Sequence, residues 1–87
     1  MKGTQMSKTL YGLVFVQTHD ACPESYDVFD NGTQIATATF QWGKLVCTKS
    51  GKEVYIRKAP NGWEGRFRTD EERTQWLEDA ARHIKAA

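Results

Sequence analysis

The chain has 87 residues, 39% apolar and 26% charged, with three Trp, three Tyr and four Phe. That length gives room for one core and not two, and the balance excludes a disordered chain. Twelve Lys and Arg against eleven Asp and Glu leave a net charge of +1, which argues against nucleic acid as the default partner.

Residues 1–9 carry no pattern and are read as a flexible N-terminal arm, with 10–87 as a single α+β domain. Leu10 to Gln17 is rich in aromatic and β-branched residues and apolar at odd and even positions alike, which suits a central strand covered on both faces. It is too short to span a bilayer and lacks a cleavage-type flank, so the expected location is cytoplasmic, with no membrane partner. Thr18 to Ser25, polar and holding Pro23, reads as a loop.

Asn31-Gly32 lies between two β-rich runs, Tyr26 to Asp30 and Gln34 to Trp42, and supplies the positive φ angles of a tight hairpin. Further turns at Gly43 and at Ser50-Gly51 lead into Leu45 to Thr48 and Val54 to Arg57. Pro60-Asn61-Gly62 marks another turn, with Trp63 to Arg68 as an optional edge strand. Short connections make sequence neighbours pair antiparallel. Thr69 with Glu72 is a capping box, and Trp76, Leu77, Ala80, Ala81 and Ile84 form one stripe on the helix that follows. The expected fold is thus a four- to five-stranded antiparallel meander with one C-terminal amphipathic helix packed on one face.

One helix covers one face of such a sheet. Alternation gives Ile35, Thr37, Thr39 and Gln41 as one set on the long strand and Ala36, Ala38, Phe40 and Trp42 as the other. Likewise Tyr11, Leu13 and Phe15 oppose Leu10, Val14 and Val16. Both faces carry apolar residues, which points to a homodimer through the sheet or a docking face for a larger protein. The alternative is a strongly curled sheet whose second face is covered by the loop 18–25. Tyr11, Phe15, Phe40, Trp42 and Trp63 are the candidate partner-binding residues.

The charge is unevenly spread: −2 over residues 1–43, +5 over 44–68 and −2 over 69–87. The basic block supplies a second reading, in which Lys49, Lys52, Tyr55, Arg57, Lys58, Arg66 and Arg68 bind single-stranded nucleic acid by stacking among cations. The plainer account is that these residues solubilise edge strands. A third reading places His19 and Cys22, with Asp20 between them, as a Cys/His catalytic pair. That spacing enforces no such pair, and a solvated loop explains it as well. Cys22, Cys47, His19 and His83 lack metal-finger spacing, so no metal and no cofactor are expected. No phosphate-binding glycine loop, zinc-hydrolase helix or nucleophile elbow occurs, and the chain is read as non-enzymatic. A compact sheet, one helix and no catalytic set is the general style of accessory and inhibitor proteins of phages and mobile elements, an analogy of size and composition.

Overall fold

The computed structural model describes residues 7–20, 23–59 and 69–87. Six strands, β1 (Ser7–Leu10), β2 (Leu13–Asp20), β3 (Glu24–Asp30), β4 (Thr33–Gln41), β5 (Lys44–Lys49) and β6 (Lys52–Lys58), form one antiparallel sheet in sequence order, and α1 (Asp70–Ala86) follows. The α+β meander with a C-terminal helix is as expected, but the sheet has six strands and not four or five.

The extra strand arises at Tyr11-Gly12. Both residues have positive φ, 52° and 78°, and Leu10 pairs directly with Leu13. The run from Leu10 to Gln17 is therefore a hairpin corner and not one central strand. Ser7 to Thr9, assigned to a flexible arm, belong to β1; residues 1–6 lie outside the described residues. The apolar character at both parities has a simple cause, since Leu10 and Tyr11 belong to another strand and its turn. Three further two-residue turns, at Asn31-Gly32, Trp42-Gly43 and Ser50-Gly51, repeat the pattern of positive φ at both central positions. This twist matches that of the flanking strands, which is why these four connections need only two residues each. β2 and β3 also run into the expected 18–25 loop, to Asp20 and from Glu24. The residues 21–22 between them lie outside the described residues, as do 60–68 with the optional strand from Trp63 to Arg68.

The helix forms where its sequence specifies. The Thr69 hydroxyl accepts from the Glu72 backbone N–H at 3.0 Å, three acids occupy the first turn and His83 and Lys85 the last, each favourable to the macrodipole. Trp76, Leu77, Ala80, Ala81 and Ile84 are all buried. They lie against Leu13, Phe15, Tyr26, Val28, Ala36, Ala38, Phe40, Leu45 and Cys47 in one core. Phe40 stacks on Trp76 with ring centroids 5.4 Å apart. Ile35 and Val54, each the extra residue at a β-bulge, are half-buried and pack against the same core.

Polar ties surround this apolar centre. Lys8 Nζ donates to Thr74 Oγ1 at 2.6 Å. Lys49 Nζ donates to the carbonyls of Ile84 and Ala87 at 3.1 and 3.0 Å, satisfying the helix C-terminus. Glu24, fully buried, accepts from Arg73 Nε at 2.6 Å and Nη2 at 3.2 Å and from the Tyr26 hydroxyl, while Arg73 also pairs with Asp70. A buried carboxylate is tolerated here because a fork of donors meets it.

Candidate functional site

Among the described residues no element packs on the face of the sheet opposite the helix, and strand register fixes what that face presents. Side chains on this face lie in rows across the strands. One row runs Thr9, Val14, Phe29, Gln34; the next Ser7, Val16, Asp27, Thr37, Thr48, Glu53; the third Ser25, Thr39, Val46, Ile56. A fourth holds Gln41, Lys44 and Lys58. Val14, Val16, Phe29 and Val46 are half-buried, and Ile56 is 48% exposed. The face is a field of threonines with an apolar group at each of two opposite corners: Val14, Val16 and Phe29 on β2 and β3, Val46 and Ile56 on β5 and β6.

Trp42, 68% exposed, stands at the β4–β5 turn. Lys44 and Lys58 are direct cross-strand partners and both exposed, a like-charge pair that destabilises the edge slightly. A shallow depression of about 370 Å³ lies between β4 and β5, lined by Gln34, Thr37, Thr48 and Ser50 among others.

The expected partner-binding residues divide. Trp42 is exposed as required, and Tyr11 is 48% exposed at its turn with the Arg82 guanidinium 5.2 Å from its ring centroid. Phe15 and Phe40 are corrections: at 0% and 2% exposure they lie under the helix. The larger of the two alternating sets packs against α1 because it offers more apolar area for burial there. Trp63 lies outside the described residues. Val14, Val16, Phe29, Val46 and Ile56 were missed as a surface, although alternation alone groups them once the opposite set is assigned to the core.

The basic residues are likewise sorted. Lys49 holds the helix end, and Tyr55, buried, donates to Asp79 Oδ2 at 2.6 Å. Burial first, then this bond, pushes the Tyr55 phenol up to about 12. Arg57 lies 4.5 Å from the Trp76 ring centroid and 4.0 Å from Asp79. These three contact the helix and do not form an open stacking platform with the rest. Lys52 and Lys58 are exposed, and Arg66 and Arg68 lie outside the described residues.

His19 is exposed, its Nδ1 3.1 Å from the Ser25 hydroxyl, which in turn lies 2.7 Å from Thr18 Oγ1. Cys22 lies outside the described residues. Cys47 is a free, buried thiol that burial pushes up to about 12, far from the thiolate state that nucleophilic chemistry needs. His83 Nδ1 sits 2.9 Å from the Asp79 carbonyl oxygen, on the helix. Among the described residues no three His, Cys, Asp or Glu side chains converge as a metal site, and no helix is long and apolar enough to cross a membrane.

Comparison of the chain with protein-family models, curated proteins and solved structures finds no match.

Proposed function

We propose that this chain is a small non-enzymatic protein-binding module whose working surface is the helix-free sheet face, acting by occupancy in the manner of phage or mobile-element accessory and inhibitor proteins. The observation that carries the reading is the apolar content of that face, Val14, Val16, Phe29, Val46 and Ile56, on a sheet whose other face already has its helix. Surfaces of mixed threonine and aliphatic character, with an exposed Trp at a turn, suit protein contact. The engagement of Lys49, Tyr55 and Arg57 with the helix favours this reading over the nucleic-acid one. A free thiol at Cys47 accords with a cytoplasmic setting.

The test is capture by the tagged chain, with nuclease present and absent. A protein partner retained under nuclease and lost with Ile56→Glu is the expected result. Capture that disappears with nuclease, or that ignores Ile56→Glu and Trp42→Ala together, refutes the reading.

A further inference from the structure

We infer that the partner on the helix-free face is a second copy of this chain, packed face to face with its strands steeply crossed. The inference rests on the reading that this face is the working surface, and the register of the rows leads to it.

The two apolar corners are diagonally opposite. Val14 and Phe29 lie in the first row and Val16 in the second, on β2 and β3, whereas Val46 and Ile56 lie in the third row on β5 and β6. With strands ~4.8 Å apart and alternate residues ~6.8 Å apart along a strand, one corner is the reflection of the other across the diagonal from Ser25 to Thr37. A two-fold axis lying in the interface along that diagonal brings Val14 of one copy onto Ile56 of the other and Val16 nearly onto Val46, with Phe29 beside them over Thr48 and Glu53. The same operation sets the half-buried Asp27 opposite Thr39, whose hydroxyl can donate to the carboxylate. An isologous contact needs a patch that is its own complement, and this one is.

The strands lie ~35° from that axis and so cross at about 70°, nearer the orthogonal than the aligned class of sheet packing. An in-register stacking with parallel strands would instead set Phe29 against Gln34 and Val16 against Thr48, which wastes both apolar corners. Size agrees as well. Six strands ~4.8 Å apart and about seven residues long project roughly 700 Å² per copy, close to the ~800 Å² per partner of a standard interface. A net charge of +1 per chain adds little repulsion between copies.

Sedimentation velocity of the full chain across a hundredfold concentration range tests this. The expected result is a reversible dimer of twice the 9.9 kDa chain mass, with Ile56→Glu raising the dissociation constant by about tenfold or more. Ile56 is exposed, so circular dichroism of that variant should be unchanged. Thr39→Asp, which sets a carboxylate against Asp27 of the second copy, should weaken the dimer, and Thr39→Lys should keep or strengthen it. A concentration-independent monomer overturns the dimer; if Ile56→Glu still abolishes capture of a different protein, the working surface stands and only its occupant changes. A dimer that ignores Ile56→Glu overturns the face itself, and one that responds equally to Thr39→Asp and Thr39→Lys overturns the crossed arrangement.

Discussion

Replacing Arg73 by Met leaves the fully buried Glu24 carboxylate without its guanidinium and tests what holds the helix N-terminus to the sheet. Arg73 is 14% exposed and Glu24 0%, so solvent screens the pair little. The guanidinium makes two charge-assisted bonds to the carboxylate, and hydrogen bonding to Glu24 is the first cause of its raised pKa, ahead of the opposing effect of burial. Removing one partner of a buried pair costs about 3–5 kcal/mol, and the Tyr26 hydroxyl still donates to Glu24, so the low end, about 3 kcal/mol, applies. For a domain of this size that is a fall in Tm of roughly 12–24 °C. Thermal and urea unfolding of Arg73→Met, Glu24→Gln and the double variant measure it, and the double variant should cost less than the sum of the singles. A loss under about 1 kcal/mol for Arg73→Met, or strict additivity, would show that the pair does not anchor the helix.

Thr69→Ala removes the N-cap acceptor of the Glu72 N–H and should cost about 1 kcal/mol in urea unfolding, with Thr69→Ser close to neutral. High pH should destabilise the fold. The Cys47 thiol and Tyr55 phenol are both pushed up to about 12 from 9.0 and 10.0, so the folded chain holds protons that the unfolded chain releases. Their contribution is fully present below pH 9, and stability should fall between about pH 9 and 12, less steeply in Tyr55→Phe. A Tm independent of pH over that window would contradict the burial of both groups.

The parts of this fold legible in the sequence are those decided within a few residues. Asn31-Gly32 sets its own turn angles, and Thr69 and the stripe from Trp76 to Ile84 specify a capped amphipathic helix wherever that segment packs. The Tyr11-Gly12 turn was hidden because Tyr at positive φ is unusual, so two strands read as one. Alternation divided each strand into two sets, but a period of two is silent about which set the helix covers, and a one-residue change of phase exchanges the faces. Phe15 and Phe40 therefore moved from surface to core, and Val16, Phe29, Val46 and Ile56 from background to candidate site. Glu24 and Arg73, 49 residues apart, and Tyr55 and Asp79, 24 apart, meet only when the helix lies on the sheet. Sequence alone determined the capped helix, the Asn31-Gly32 hairpin and the expectation that one helix covers one face of the sheet. Tertiary packing decided which face, because that choice is made by the total apolar area the helix can bury and not by any single strand.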